Sequence, residues 1–281
     1  MKNIIISDNK KLEETIKKIS EQGKDKFHVI ADFDRTLTKA FVNDKKSSTV
    51  IAQIRNGRYL TEDYAPRANA LFDKYHPIEI STKIPEKEKK KKMHEWWRAH
   101  FNLLIECGMN KQVINDIINK SEIKFREGSL EFLEKLNINK ILLIIMSAGP
   151  GDMIKEHLRH DGVLYPNIHI IANMFKFDKN GRVLGVEEPI IHSLNKHETE
   201  VNKLPIYNKL LERKNVLLLG DSLGDIGMVS GFPYENLIKI GFLNENVEEN
   251  LKKYKDNYDV VILNDGSFDY INELLERLIK D

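Results

Sequence analysis

Short apolar runs recur along this 281-residue chain, and helical patterns fall between most of them. The runs lie near residues 28–33, 140–146, 168–172, 216–220, 237–243 and 259–263. Helical patterns cover residues 9–22, 129–136 and 267–280. In the first of these, Leu12, Ile16 and Ile19 fall on one face and Gly23 ends the pattern. Strands that alternate with helices predict an α/β fold, with a mostly parallel sheet and helices on both faces.

The stretch from about residue 47 to residue 123 breaks this alternation. It is polar, helical in pattern and lacks a convincing buried strand. We therefore expect a core formed by residues 1–46 and 124–281, with a mainly helical subdomain, residues 47–123, inserted into it. The densest charge of the chain, residues 86–92, falls in this insertion and is interpreted as a solvated helix face.

Acidic side chains follow two of the predicted strands. Asp32 and Asp34 come directly after the first run, and Asp221 and Asp225 follow the run at 216–220. In an open α/β sheet, ligands bind beyond the carboxyl ends of the strands. There, one carboxylate can attack phosphorus while a second handles a proton and helps to hold a hard cation. Either pair alone could also be incidental acids at a solvated strand end.

A serine and glycines follow another run, as Ser147-Ala148-Gly149-Pro150-Gly151 before a helical segment. Free N–H groups in such a turn bind anions, although an ordinary strand-to-helix turn has the same composition. Lys196 lies in a polar stretch and is a surface lysine unless the fold brings it to the acids. Three strand ends of this kind in one chain favour a catalytic site.

The order of acid pair, serine turn, lysine and second acid pair resembles the four-motif phosphatases of the haloacid dehalogenase superfamily. Further segments resemble the cytosolic pyrimidine 5′-nucleotidases, also called type III 5′-nucleotidases. These segments are Tyr75-His76-Pro77-Ile78-Glu79-Ile80, Glu95-Trp96, Asn195-Lys196-His197, Asp221-Ser222-Leu223-Gly224-Asp225 and Lys239-Ile240-Gly241-Phe242-Leu243-Asn244. The resemblance runs from about Phe27 to the C-terminus. It implies a Rossmann-like core with a helical cap over the catalytic crevice.

The resemblance also implies roles for the acids. Asp32 is the expected nucleophile, and Asp34 the general acid that later becomes the base activating water. Magnesium is expected on the Asp32 carboxylate, the Asp34 backbone carbonyl and Asp221, with waters completing an octahedron. Asp225 is expected to orient those waters or to support Lys196.

Substrate contacts are implied in the same way. Ser147 and the Ala148 N–H group are expected to bind the phosphoryl oxygens, and Lys196 to neutralise the phosphoryl group. In the inserted subdomain, Glu79 is expected to accept hydrogen bonds from the nucleobase and Trp96 to stack on it.

Two positions in the inserted subdomain bear on base recognition. Because Trp96 and Trp97 are adjacent on a helix, we expect at most one of them to face the ligand. His100 falls where pyrimidine nucleotidases of the family carry a substrate-contacting serine, so it bears on base preference. The segment 43–56 has diverged from the family pattern and gives no assignment.

Composition excludes several classes of protein. With 44 basic and 43 acidic residues, no global field steers the protein to nucleic acid or to a membrane. The single cysteine, Cys107, allows no internal disulfide and favours a reducing cytoplasmic setting. Residues 1–10 read as neither a signal peptide nor a membrane span. The nine histidines show no zinc-binding spacing, and His94, His157 and His160 are expected on helix surfaces.

These patterns predict a magnesium-dependent nucleoside 5′-monophosphate phosphohydrolase that favours UMP and CMP and works through an aspartyl-phosphate. The alternatives are a related phosphatase for another small phosphate ester, such as a sugar phosphate or a modified purine nucleotide, and a catalytically silent nucleotide-binding module. A protein that only binds nucleotides needs no nucleophile, so the expected nucleophile argues against a catalytically silent module. The expected partner is the small-molecule substrate alone, and the expected state is a monomer or weak homodimer.

Overall fold

A seven-stranded sheet forms the centre of the molecule in the computed structural model, which describes residues 3–121, 123–196, 206–231 and 233–280. Its strands, in spatial order, are β1 (Ile4–Ile6), β11 (Val260–Leu263), β10 (Asn236–Leu243), β9 (Asn215–Gly220), β2 (Phe27–Ala31), β5 (Leu142–Pro150) and β6 (Ile168–Asn173). All neighbouring strands are parallel except the edge strand β1, which pairs antiparallel with β11.

After the edge strand β1, the chain crosses to β2 in the middle of the sheet. From β2 it builds outward through β5 and β6 on one side, and then through β9, β10 and β11 on the other. Strand order therefore reverses at β2, and a crevice opens beyond the carboxyl ends of β5, β2 and β9. The acid pairs follow β2 and β9, and the serine turn forms the last residues of β5.

Alternating side chains cover the two faces of the sheet. In β2, Val29 and Ala31 join the larger apolar cluster on one face, while Ile30 joins a second cluster on the other. Both faces are buried, which explains why these strands read as continuous apolar runs. The predicted α/β class, with helices on both faces, is confirmed.

The core helices are α1 (Asn9–Gln22), α6 (Ser129–Ile138), α7 (Gly151–His160), α8 (Tyr207–Leu211), α9 (Val247–Asn257) and α10 (Asp269–Leu278). Helix α1 begins where the Asp8 carboxylate accepts a hydrogen bond from the Lys11 N–H group, and it ends before Gly23 at φ +81°. Its buried residues are Leu12, Ile16 and Ile19, the three that the spacing predicted.

Four helices occupy the inserted stretch: α2 (Val50–Asn56), α3 (Tyr64–Ile80), α4 (Glu86–Glu106) and α5 (Lys111–Asn119). Helices α3 and α4 pack along each other, and α5 rests on α7 of the core. A two-stranded hairpin, β7 (Phe175–Phe177) and β8 (Val183–Val186), also packs on α4, although it follows β6 in the chain. The boundaries 47 and 123 remain a prediction.

Several short strands were not predicted from the sequence. They are β1, the β7–β8 hairpin and the hairpin of β3 (Phe41–Val42) with β4 (Lys45–Lys46). With two to four residues each, they are too short to show a period of two. Within the described ranges, no helix combines the length and the apolar character that crossing a bilayer requires.

Candidate active site

A tight turn follows β2 and carries the first acid pair. The turn contains Arg35 at φ +61°, in the left-handed region that side chains other than glycine rarely adopt. The Arg35 N–H group donates to Thr38 Oγ1 at 2.8 Å, and the Thr38 N–H group donates to the Phe33 carbonyl at 3.2 Å. These bonds close the turn, so Asp32 and Asp34 both reach the same cavity.

A buried arginine fixes this turn from behind. Arg126, whose side chain is fully buried, donates to the carbonyls of Arg35, Thr36 and Gly266. It also pairs with Asp265 at 2.8 Å, and its guanidinium lies 4.1 Å from the centre of the Phe242 ring. The conformation of Arg35 is thus held by the packing around it.

Lys196 lies between two acids at the bottom of the cavity. Its Nζ donates to Asp32 Oδ1 at 2.5 Å and to Asp225 Oδ1 at 2.7 Å, and all three side chains are almost wholly buried. The fold therefore brings Lys196 to the acids, as its catalytic interpretation required. His197, which shares the sequence motif, lies outside the described residues.

The inserted subdomain contacts Asp34 directly. Asp34 Oδ1 accepts a hydrogen bond from the Val50 N–H group at 2.9 Å, and Val50 is the first residue of α2. An acid at a helix N-terminus is stabilised there because the first N–H groups lack partners within the helix.

The serine turn ends β5. Ser147 is buried, and its Oγ accepts a hydrogen bond from the Gly149 N–H group at 3.0 Å. Behind the turn, the Asn173 amide donates to the carbonyls of Ala148 at 2.7 Å and Ile191 at 2.8 Å. Asn173 thereby fixes the peptide that precedes Gly149, at the point where β5 shifts its register against β6.

The second acid pair is held by its own backbone and by two tyrosines. Asp225 Oδ2 accepts hydrogen bonds from the N–H groups of Asp221 and Ser222 and from the Ser222 hydroxyl. Tyr254 and Tyr258, from α9 and its end, donate to the carbonyls of Asp221 and Ser222 at 2.5 Å each. Asp225 is thus engaged by Lys196 and by this loop, while Asp221 faces the cavity.

The crowding of acids changes their affinity for protons. Burial raises the pKa of Asp34 to about 6, although the Val50 N–H group works against the shift. Burial and the neighbouring Asp225 charge raise the pKa of Asp221 to about 7. Burial also raises the pKa of Asp32, against the opposing effect of Lys196. For Lys196 itself, the nearby Asp225 and Asp32 outweigh burial and raise its pKa, so it stays charged.

The donor set fits a hard divalent cation. Carboxylate oxygens of Asp32, Asp221 and Asp225 lie within 4.8 Å of one another, and no histidine or cysteine belongs to this group among the described residues. Oxygen-only ligands suit magnesium. A cation would also relieve the repulsion that, after burial, raises the pKa of Asp32 and Asp221. Asp225 uses both of its oxygens in hydrogen bonds to Lys196 and to the Asp221 loop. Asp32 and Asp221 are therefore the better candidates for metal ligands.

The site opens into a cavity of about 630 Å³ that reaches from the acids to helices α2, α3 and α4. Its floor carries Asp32, Asp34, Ser147, Ala148, Lys196, Asp221 and Asp225, and its far end carries Arg55, Phe72, His76, Glu79, Trp96, Trp97 and His100. One end is therefore built for a charged group and the other for a flat ring. This volume is in the range that small-molecule sites occupy.

Glu79, in the far end of the cavity, is held by Ser193 and His76. Its Oε1 accepts a hydrogen bond from the Ser193 hydroxyl at 2.6 Å, and its Oε2 lies 3.1 Å from His76 Nδ1. Ser193 is close in sequence to Lys196, so Glu79 joins α3 to the segment that carries the lysine. It lines the cavity and is partly buried.

Aromatic side chains form the far end. Trp96 stacks on Tyr75, with ring planes 11° apart and centres at 6.0 Å, and its Nε1 has no hydrogen-bond partner among the described residues. Trp97 also lines the cavity, so both tryptophans border it. The expectation that at most one of them faces the ligand stays a prediction. The cavity extends far enough along α4 to include both rings.

His100 lies deep in the same end. It is buried, its Nε2 is 2.9 Å from the Tyr64 hydroxyl, and burial lowers its pKa to about 4. His100 is therefore a neutral wall of the cavity. His157, expected on a helix surface, is instead buried against Gln53, because α7 is covered by the inserted helices as well as by the sheet.

Some residues of the site were missed from the sequence. Asn173 is the last residue of β6, another polar residue at a strand end, and that signal could have been used. Val50 contributes only a backbone N–H group and Arg126 acts from behind the turn, so neither carries a local signal. Arg55 lies in the segment that gave no assignment.

The sequence pattern of the pyrimidine 5′-nucleotidase (UMPH-1) family matches residues 35–279. A 7-methylguanosine phosphate-specific 5′-nucleotidase of Homo sapiens is 36% identical over 270 residues, which cover 96% of this chain and 90% of that protein. A crystal structure of cytosolic 5′-nucleotidase IIIB bound to cytidine is 28% identical, with a TM-score of 0.89, and covers 100% of this chain and 95% of that one.

A phosphoserine phosphatase, solved as a phospho-aspartyl intermediate analogue, shares the fold alone, at 19% identity with a TM-score of 0.50 over 87% of this chain and 96% of that one. The resemblance read from the motifs is confirmed by these matches. The chain belongs to the pyrimidine 5′-nucleotidase (UMPH-1) family and is a phosphatase-type hydrolase of the 5′-nucleotidase class.

Proposed function

We propose that this enzyme is a magnesium-dependent nucleoside 5′-monophosphate phosphohydrolase that forms an aspartyl-phosphate on Asp32. The observation that carries the proposal is the cavity itself, because a charged floor and an aromatic end lie in one continuous space. A nucleoside monophosphate has the matching shape, with a dianionic phosphate at one end and a flat base at the other.

The first half-reaction moves the phosphoryl group to the protein. An Asp32 carboxylate oxygen attacks phosphorus, the bond from phosphorus to the ester oxygen breaks, and Asp34 gives its proton to that oxygen. A pKa of about 6 suits Asp34 to both giving and taking a proton near neutral pH. Lys196 orients Asp32 and offsets its charge while the anionic substrate approaches.

In the second half-reaction, Asp34 takes a proton from water as the water oxygen attacks phosphorus. The bond from phosphorus to Asp32 breaks, and phosphate leaves. Through both steps Ser147 and the Ala148 N–H group bind the equatorial oxygens, where negative charge accumulates. Asp225 holds Lys196 and the Asp221 loop in position.

Asp32 and Asp221, with the Asp34 carbonyl, would hold magnesium. When bound, the ion neutralises charge on the transferring phosphoryl group. We further propose that residues 47–123 act as a cap whose closure excludes water, since α2 already contacts Asp34.

Pyrimidine nucleotides are our favoured substrates, supported by the family match and by the cytidine in the similar structure. A second candidate is 7-methylguanosine 5′-monophosphate, because the human relative is named for that class of phosphate. Aromatic walls stack on either base, so stacking alone does not decide between them.

Phosphate release from UMP, CMP, 7-methylguanosine 5′-monophosphate and glucose 6-phosphate, with and without magnesium, tests the proposal. We expect turnover of the nucleotides, little turnover of the sugar phosphate, loss of activity on chelation and recovery with magnesium. Asp221→Asn should raise the magnesium concentration needed for half-maximal activity. Activity that survives exhaustive chelation, or that only zinc restores, contradicts the proposed metal site.

A further inference from the structure

A cationic side chain lies in the aromatic end of the cavity. Arg55, in the last turn of α2, lines the cavity and is partly buried. Its guanidinium lies 4.2 Å from the centre of the Phe72 ring, which in turn stacks on His76 at 4.6 Å. The charge is therefore held by an aromatic platform beside the space left for a base.

Arg55 forms no close ion pair with a described residue, although the more distant Asp73 carboxylate attracts its charge. Within the described part of the chain, it takes part in no ion pair and no side-chain hydrogen bond, and its Nε is buried without an acceptor. By contrast, the nearby Arg67 of α3 pairs with Asp63 and Glu106. A buried donor without an acceptor is costly, so a ligand that supplies an acceptor gains from binding there.

The charge of Arg55 reaches the deep wall of the cavity. His100 has its pKa lowered mainly by burial and additionally by the positive charge of Arg55. A ligand ring that enters between α2 and α4 lies beside the same guanidinium, because Arg55 and His100 line one cavity.

We propose that Arg55 is a specificity-determining residue that favours neutral bases with carbonyl acceptors and disfavours the cationic 7-methylguanine base. The proposal rests on the proposed function, since it assumes that this end of the cavity receives the base. It gives the choice between the two candidate substrates a physical cause within this chain.

Charge and hydrogen bonding act in the same direction. A methyl group on N7 of guanine leaves a positive charge on the ring, which Arg55 repels. Arginine commonly donates to the O6 and N7 acceptors of guanine, and the methyl group also removes the N7 acceptor. Uracil and cytosine carry carbonyl oxygens without the charge, so they can accept from the guanidinium. The carboxylate of Glu79 attracts a cationic base, and Arg55 opposes that attraction.

Steady-state kinetics of Arg55→Gln tests the proposal. The measured quantity is kcat/KM for 7-methylguanosine 5′-monophosphate divided by kcat/KM for UMP. We expect this ratio to rise about tenfold over the wild type, equivalent to about 1.4 kcal/mol. Arg55→Met, which keeps the length and the packing on Phe72, should raise it similarly and serves if the first variant folds poorly. Arg55→Lys keeps the charge and should leave the ratio within about threefold.

Arg58→Gln is the matched control. Arg58 is exposed, lies one turn further along the chain and does not line the cavity. A ratio that stays within twofold of wild type in both neutral Arg55 variants overturns the proposal, as does an equal shift in Arg58→Gln. A wild type that hydrolyses a small aryl phosphate but no nucleotide instead overturns the proposed function. If turnover of the aryl phosphate is unchanged in the variants, the change in the ratio comes from recognition of the base.

Discussion

At the floor of the cavity, one ammonium group faces two carboxylates that are almost wholly buried. Lys196 holds Asp32 and Asp225 together, and each acid has a different second role. Asp32 can still present an oxygen to the cavity, whereas Asp225 turns its other oxygen into the Asp221 loop. Chemically identical side chains are separated into a reacting group and a supporting group by their hydrogen bonds.

Asp32→Asn tests the nucleophile. The substitution keeps the shape of the side chain but removes the nucleophilic carboxylate, so turnover should fall by several orders of magnitude. Phosphate release from UMP measures it, and thermal unfolding checks that the fold is retained. If the variant keeps more than about a tenth of wild-type turnover, a difference of only about 1.4 kcal/mol in barrier, the aspartyl-phosphate assignment is wrong.

Glu79→Ala tests base recognition. A charge-assisted hydrogen bond from base to carboxylate contributes about 1.5–3 kcal/mol, so kcat/KM for CMP should fall roughly ten- to hundredfold. A small aryl phosphate lacks the base and should lose little. Ser193→Ala is the control, because it removes the bond between Ser193 and Glu79 but leaves the carboxylate in place. Equal losses on both phosphates, reproduced by Ser193→Ala, would make Glu79 a structural acid.

At the scale of elements, α2 connects the two ends of the cavity. Its first N–H group binds Asp34 and its last turn holds Arg55, only five residues later. A movement of this short helix would therefore change the catalytic acid and the base end together. The helix lies in a stretch whose sequence gave no assignment, because its role depends on contacts with distant elements.

The elements that the sequence predicted well are those with their own strong patterns. Strands that are buried on both faces appear in the sequence as apolar runs. Helix α1 appears as apolar residues at helical spacing, followed by a glycine. Most catalytic candidates could be predicted because the carboxyl ends of the strands converge in this topology. Asp32, Ser147 and Asp221 could therefore be identified from their positions at the ends of apolar runs. Contacts between residues far apart in the sequence could not be predicted. Examples are the packing of the β7–β8 hairpin on α4 and the hydrogen bond from Arg126 to a turn 90 residues before it.

Arg126→Met tests how far the first turn depends on its buried support. The change removes the arginine donor from Asp265 and from the carbonyls of Arg35, Thr36 and Gly266. Asp265 still accepts from the N–H groups of Ala40 and Phe41, and the Arg35 carbonyl still accepts from the Asn244 amide. Breaking a buried pair by removing one partner costs about 3–5 kcal/mol in the free energy of unfolding. Urea denaturation measures it. Arg277→Met, which removes an exposed pair with Glu13, should cost less than about 1 kcal/mol. Comparable losses in the two variants would contradict the role given to Arg126.

At the scale of the whole molecule, core and inserted helices meet at a small polar network. Ser121 donates to Gln53 Oε1 at 2.6 Å, which turns the Gln53 amide nitrogen toward His157 Nε2 at 3.1 Å. Because the amide can only donate there, the histidine nitrogen must accept, so His157 is neutral. Three elements are joined by this network: α2, the end of the insertion and α7 of the core.

Protonation of His157 should therefore weaken the fold. Burial lowers its pKa to about 4, from 6.5 in the unfolded chain, against the opposing effect of Asp161. Between these values the unfolded chain binds the proton more tightly, so stability falls as pH falls from 6.5 toward 4 and the loss is complete below 4. The full shift corresponds to about 3 kcal/mol.

The raised pKa values of Asp32, Asp34 and Asp221 act in the opposite direction, because the folded state of each acid retains its proton to higher pH. The pH dependence of wild-type stability is thus the sum of these opposing contributions. A variant is needed to isolate the contribution of His157. We expect His157→Phe, measured by urea unfolding at pH 7, 5.5 and 4.5, to be less stable at pH 7 but to lose less stability on acidification. His160→Phe, an exposed neighbour whose charge makes only the smallest contribution to the low pKa of His157, should follow the wild type closely. If the free energies of unfolding of His157→Phe and wild type decrease in parallel as the pH falls, His157 is not the cause of the pH dependence.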